Sequence, residues 1–186
     1  FATPRRTVIE DGEEVSYVEA PAAVQPVVFV MDRFGYCKTL DQSVYDRNKE
    51  TVDKEHVHVV ECMSSDRICL FTNTGVMYQV KLGDVPAGKL RDKGVPIDNL
   101  SKFDGTKEEI RYLVNGERLY GQTLLFATKE AAVKQVSGAE FCTNNRMVAA
   151  TKLQEGDEVA AIEPVREEAD VILQTDGGVF LRFPLE

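Results

Sequence analysis

VVFVMDRFGYCKTL, residues 27–40, is a β-branched and aromatic run, a polar turn ending at Gly35, and a second run that carries Lys38. Such a pattern predicts a β-hairpin. It recurs as ICLFTNTGVMYQVKL at 68–82, LLFATKEAAVKQV at 124–136 and VILQTDGGVFLRF at 171–183, with turns ending at Gly75, Ala131 and Gly178. Successive turn positions are 40, 56 and 47 residues apart. A radial array of four-stranded blades has a repeat of about 40–50 residues, because one blade cannot bury its faces alone. The chain therefore reads as part of a propeller-like all-β domain.

Composition agrees. With 186 residues, 43% of them hydrophobic, a substantial core is within reach. No stretch approaches the roughly 18–20 apolar residues of a membrane-spanning helix, so no membrane partner is expected. Phe1 is not an initiator methionine and Glu186 follows a strand directly, which reads as a segment of a longer polypeptide. The four cysteines, Cys37, Cys62, Cys69 and Cys142, have neither CxxC pairing nor metal-ligand spacing, and three lie in apolar strand patterns. Reduced, mostly buried thiols in a cytoplasmic protein are expected.

The net charge of −9 argues at first against a polyanionic partner. Its distribution weakens that argument. Residues 1–32 hold two basic and six acidic side chains, residues 33–152 eighteen and sixteen, and residues 153–186 two and nine. Basic groups cluster at Arg47-Asn48-Lys49, along GKLRDKG at 88–94 and at Asn144-Asn145-Arg146. Local potential, more than net charge, decides whether phosphate binds a surface.

Residues 1–26 are polar, then Ala/Pro-rich, and read as a connector entering a domain that occupies 27–186. After the first hairpin come an expected loop over 41–55 and a strand around 57–63. The second hairpin leads through DVPAGKLRDKG into GVPIDNL and the Asp104-Gly105 turn; the third leads through SGAEFCTNNR into MVAATKL and the Glu155-Gly156 turn, then VAAIEP. Both units thus share one plan: hairpin, basic loop, short apolar strand, acidic-Gly turn, closing strand. Residues 106–114 have a mildly helical composition but occupy the closing-strand position and are read as strand. The fourth hairpin ends where its own basic loop would begin, so about three and a half blades are visible.

LFTNTGVMYQVKLGDVPAGKLRDKGVPIDNL, residues 70–100, resembles a blade of the C-terminal domain of the A subunit of bacterial type IIA topoisomerases, DNA gyrase and topoisomerase IV. In that family a strand, a Gly turn, an aromatic strand, a proline-containing loop and a G-x-P-I-x-N-L run succeed one another. The opening TPRRTVIED resembles the hand-over from the family's catalytic core, and VVFVMDRFGYCKTL its first blade. The resemblance implies a β-pinwheel, a propeller variant whose blades exchange strands, around whose rim duplex DNA is bent. It further implies a noncatalytic domain of an ATP-dependent enzyme, with ATP and Mg used on other segments and no cofactor here. The implied partners are duplex DNA, the catalytic core to which the domain is joined in the same polypeptide, and the ATPase B subunit.

Cations repeated along such a rim supply sequence-independent affinity by releasing counterions, and several must act together because bending duplex DNA costs on the order of 1–6 kcal/mol. Candidates after the turns are Lys38, Lys134 and Arg182, with Lys81 slightly later; those in the blade loops are Arg47, Lys49, Lys89, Arg91, Lys93, Arg146 and Lys152. A competing use of strand-borne Lys and Arg is to guard hairpin edges against aggregation. One departure from the family stands out. Gyrase A subunits carry a glutamine-, arginine-, glycine- and lysine-rich box in the first blade that supports wrapping, whereas SVYDRNKETVDKEHVHVV at 43–60 has no such box. The resemblance is thus closer to topoisomerase IV than to gyrase.

Other chemistry is thin, and neither a catalytic residue nor a metal site is expected. His56 and His58 sit two apart on an expected strand and share a face, yet no third ligand stands nearby. Gly177-Gly178 reads as a hairpin turn, since no helix follows it as in a phosphate-binding loop. An arginine precedes the tyrosine at the family's cleavage site; among the six tyrosines here only Tyr112 follows one, Arg111, and all six are read as core or rim packing. A reading from a different class is an acidic propeller that docks the topoisomerase core or another basic partner; duplex binding that falls steeply with salt separates the two.

Overall fold

A computed structural model describes residues 23–166 and 170–185. The expected connector lies outside the described residues as far as residue 22. The first hairpin is β1 (Pro26–Met31) with β2 (Tyr36–Asp41), followed by helix α1 (Gln42–Glu55) and β3 (His58–Met63). The second unit comprises β4 (Arg67–Thr72), β5 (Val76–Lys81), a two-residue β6 (Val95–Pro96), β7 (Ile110–Asn115) and the short helix α2 (Gly116–Tyr120). The third comprises β8 (Thr123–Thr128), β9 (Val133–Ser137), β10 (Met147–Ala149) and β11 (Val159–Pro164), and the fourth is the hairpin β12 (Asp170–Gln174) with β13 (Phe180–Pro184).

All four hairpins turn in the same way. Gly35, Gly75, Ala131 and Gly178 have φ of 82°, 76°, 61° and 79°, and each donates its N–H to the carbonyl three residues back at 2.9–3.1 Å. A Cβ is disfavoured in that left-handed region, which is why glycine holds three of the four positions.

Strand exchange then joins the units. The sheet orders are β3-β1-β2-β6, β10-β5-β4-β7 and β11-β8-β9, with β12-β13 as a pair. Thus β6, from the second unit, edges the first sheet by pairing Val95 with Cys37 and Pro96 with Tyr36. In the same way β10, from the third unit, edges the second sheet by pairing Met147, Val148 and Ala149 with Tyr78, Met77 and Val76. The turn glycine receives the end of each lent strand: Gly35 O accepts from Ile97 N at 2.9 Å, and Gly75 O accepts from Ala150 N at 2.8 Å. Each of β3, β7 and β11 pairs with the first strand of its own hairpin, and they contact one another in succession, β3 with β7 and β7 with β11. The sheets therefore converge on these closing strands, and the lent strands and basic loops lie at the outer rim.

Cores fill the gaps between neighbouring sheets. Phe29, Met31 and Cys37 of the first sheet meet Ile68, Leu70 and Tyr78 of the second. Behind the second sheet, Phe71 packs edge-on against Phe126 and Phe141 of the third unit, at centroid distances of 5.9 and 5.0 Å. The exposed face of the first sheet is covered by α1, whose Tyr45 and Val52 close over Val28, Val30 and Leu40.

That helix corrects the loop expected over 41–55. Its apolar stripe consists of only two buried residues seven apart, Tyr45 and Val52, and its backbone breaks at Asn48 (φ −128°, ψ 20°). A segment so weakly amphipathic gains its helicity from packing on a bare sheet face. The closing strand expected within 106–114 is β7.

Gly94 has φ 80°, and a Cβ there would stand 2.3 Å from Cys37 O. Gly156 has φ 83° but open space around it. Gly156→Ala is expected to lose about 1 kcal/mol from backbone strain and Gly94→Ala at least twice that, read by urea unfolding; equal losses would contradict the close approach of the rim loop to β2.

Burial pushes the thiols of Cys37 and Cys69 up to about 12 and that of Cys62 up to about 11, whereas Cys142 is exposed. At pH 8 one thiol in four should react rapidly with an aromatic disulfide reagent, and all four after denaturation. Unfolded thiols ionise near 9 while the folded ones stay neutral. Their stabilising contribution is therefore complete below pH 9 and lost as pH climbs towards 11–12, which alkaline unfolding would detect.

Candidate nucleic-acid interface

Residues 86–94 run along the rim of the first sheet just before β6. The base of this loop is stitched to β2, with Thr39 N donating to Pro86 O at 3.0 Å and Gly88 N to Thr39 O at 2.9 Å. Its crest is a turn in which Asp92 N donates to Lys89 O at 3.0 Å and the Asp92 carboxylate accepts from Lys89 N at 2.7 Å. Lys89, Arg91 and Lys93 are exposed on this crest, and Lys93 Nζ lies 4.0 Å from the Tyr36 ring centroid.

The corresponding loop of the next unit, residues 138–146, is held by Arg67 and Gln79. Arg67 Nη1 donates to Thr143 O at 2.9 Å, Arg67 Nη2 to Asn144 Oδ1 at 3.0 Å, and Gln79 Nε2 to Thr143 O at 3.2 Å. Sequence reasoning missed Arg67; its only signal is a guanidinium opening an otherwise apolar strand. Arg146 follows at the rim, 3.7 Å from Asp84, and Lys152 is exposed just past β10.

Four expectations change with the fold. Lys38 is 3% exposed, and its Nζ donates to three backbone carbonyls of the 86–94 loop, so it is an internal anchor and no part of the outer surface. Desolvation lowers its pKa from the ordinary lysine value. Arg182 sits four residues after its turn glycine, against three for Lys38 and Lys134, so strand alternation turns it to the opposite face; it is ion-paired with Asp170. Arg47 and Lys49 stand on α1, with Arg47 Nε bonded to Ser43 O at 2.8 Å and Lys49 Nζ 5.8 Å from the Tyr45 ring. Finally, His56 caps the end of α1 through its N–H to Val52 O, while His58 begins β3, so the two do not share one strand face. Lys134 is exposed on β9, the outer edge of the third sheet, and Lys81 is exposed at the end of β5.

Three of the ion pairs lie together at one end. At the end where the hairpins turn, Lys129 pairs with Glu158 at 2.8 Å, Lys107 with Asp104 at 2.7 Å, and Arg111 with Glu109 at 2.9 Å. Hydrogen bonds from Lys107 and Thr106 hold the half-buried Asp104 carboxyl down to about 2. Among the described residues, Lys89, Arg91, Lys93, Lys134 and Lys152 have no carboxylate within ion-pair distance. These five cations project from the edges where units meet, in a series that follows the order of the sheets; other exposed cations without a carboxylate at that distance stand elsewhere, such as Arg33 at the first hairpin turn and Lys54 on α1. No group of three or more His, Cys, Asp or Glu suited to a metal occurs among the described residues.

The geometry has counterparts among known proteins. A family model described as the DNA gyrase C-terminal domain, a beta-propeller, matches residues 66–105 and 122–166, the second and third units. The gyrase A protein of Chlamydia muridarum is 32% identical over 98% of the chain, and that of Helicobacter pylori 28% identical over all of it. The chain spans 24% of the length of each. Among solved structures, the C-terminal domain of DNA topoisomerase IV superposes with a TM-score of 0.75 at 21% identity, covering 88% of this chain and 53% of that one. The E. coli ParC C-terminal domain gives 0.68 at 18%, covering 86% and 65%. These two carry the same fold, a β-pinwheel. With a repeat unit matched twice and gyrase A relatives aligned along its whole length, the chain belongs to the family of C-terminal domains of bacterial type IIA topoisomerase A subunits.

Proposed function

We propose that this domain binds and bends duplex DNA along its rim and presents it to the strand-passing core of a type IIA topoisomerase. The observation that carries this reading is the series of exposed cations without carboxylate partners at the outer edges of successive sheets, Lys89, Arg91 and Lys93 above the first, Lys152 beside the second and Lys134 on the third. Phosphates would be met by charge and spacing, without reading of bases, as suits an enzyme that acts on DNA of any sequence. Arg47 and Lys49 on α1, Lys81, Arg146 and the ion-paired Arg182 are secondary contacts in this scheme.

Residues 27–186 would form the DNA-handling domain and residues 1–26 its tether to the catalytic core. Cleavage and ATP hydrolysis, with Mg, belong to other segments and to the ATPase B subunit, in the cytoplasm. A topoisomerase IV-like role, delivery of a segment more than full wrapping, is supported by α1. It occupies the stretch where gyrase A subunits carry their basic glycine-rich box, and no helix-free basic loop stands in its place.

Mobility shifts with linear duplexes of increasing length, at low and near-physiological salt, test the proposal on the 186-residue chain. Affinity should grow with length and fall steeply with salt. Changing Lys89, Arg91 and Lys93 together to Gln should reduce the slope of log affinity against log salt by about 2.7, roughly 0.9 for each phosphate no longer neutralised. Full affinity in that variant would remove the 86–94 loop from the interface, and absence of binding at low salt would favour the acidic interaction module.

A further inference from the structure

Three of the rim cations ride on a loop that a fourth holds from below. Lys38 lies in the middle of β2, on the face it shares with Tyr36 and Leu40 and turned towards α1. An ammonium group has three N–H donors, and here each meets a carbonyl: Lys89 O at 3.1 Å, Leu90 O at 2.8 Å and Asp92 O at 2.5 Å. Loop and side chain are closely fitted, since a Cβ on Gly88 would stand 3.2 Å from Lys38 Cδ. A buried charge stripped of such partners is strongly unfavourable, so the loop needs the ammonium as much as the ammonium needs the loop. The carbonyls that turn inward to solvate Lys38 belong to residues at the crest, which orients the crest's own side chains outward.

We propose that Lys38 is a positioning residue for the basic rim: its ammonium organises residues 86–94 so that Lys89, Arg91 and Lys93 project together as one phosphate-binding crest, while Lys38 itself touches no phosphate. This rests on the DNA-binding function proposed for the rim. The second rim loop, tied down by Arg67, is built on the same principle with a different cation.

Lys38→Met keeps the length of the side chain and removes its charge, and duplex binding over a range of salt gives the readout. A direct phosphate contact would cost about 0.9 in the salt slope, both in the native chain and in the variant already lacking the three crest cations. Positioning predicts a larger loss in the native chain, approaching the 2.7 or so of the triple Gln variant, and no further loss when Lys38→Met is added to that variant. Equal losses in both backgrounds, or unchanged binding, would overturn the proposal. Should the native chain bind no DNA, the DNA-binding function falls, and hydrogen exchange reports on Lys38 separately. The Gly88 and Asp92 amides should then exchange at least tenfold faster in Lys38→Met, with β8 and β9 unaffected; unchanged exchange at Gly88 and Asp92 would overturn the proposal. If Lys38→Met does not fold, Asp92→Ala probes the crest from outside, by removing the carboxylate that accepts from Lys89 N. That change makes the rim more positive, so weaker duplex binding would support a requirement for crest geometry and tighter binding would refute it.

Discussion

Everything in this molecule hangs on the loan of a short strand from each unit to the one before it. A three-stranded sheet of closing strand plus hairpin leaves the second hairpin strand with an open edge of unpaired backbone groups, an unstable arrangement and a template for aggregation. Val95-Pro96 and Met147–Ala149 fill those edges on the first and second sheets. Pro96 is tolerated there because it falls on an outer edge, where no further strand needs its missing N–H. The loan also sets the geometry of the surface. To reach back to the preceding sheet, the chain must cross the gap between units at the rim, and it does so through the loops that carry the cations.

The same crossing explains why the rim is positive in a chain of net charge −9. At the hairpin-turn end, carboxylates cap turns and bind neighbouring lysines, so that Lys107 and Lys129 are locally neutralised. Rim loops have few residues and must satisfy their backbone against the sheet beneath. Lys89, Arg91 and Lys93, long and without ion-pair partners, extend into solvent, where an incoming polyanion would meet them before it met the acidic ends. Local arrangement thus reverses the sign that net charge alone would assign.

Lys38 and Lys134 show how one sequence position acquires two roles. Both stand three residues past a turn and so on the same side of their hairpins. On β2 that side is closed by the 86–94 loop, by Leu90 packed against the cluster beneath α1, and by α1 itself, so the ammonium is desolvated and takes carbonyls as partners. On β9 no described strand adjoins the edge, and the lysine stays in solvent. Whether a cation is scaffold or surface depends on what the neighbouring unit lays over it.

Much of the fold was legible in the residues because it is written locally. Alternating apolar runs, a glycine at each positive-φ turn and a repeated hairpin, loop, short strand and closing strand follow from the geometry of strands and turns, and these set the number of units and their plan. The helix over Gln42–Glu55 was not legible, because two apolar residues seven apart carry almost no periodic signal and the helix exists only through the sheet face it covers. The candidate interface divided along the same line. Lys89, Arg91 and Lys93 stood out as a cluster in the sequence, and the structure leaves them exposed on one crest. The parts played by Lys38, Arg67 and Arg182 depend on burial, on a loop some fifty to eighty residues away and on strand parity. Sequence by itself thus determined the repeat and the supply of cations, since both are properties of neighbouring residues; tertiary structure alone decided which cations face solvent, since desolvation depends on contacts between residues far apart in the chain.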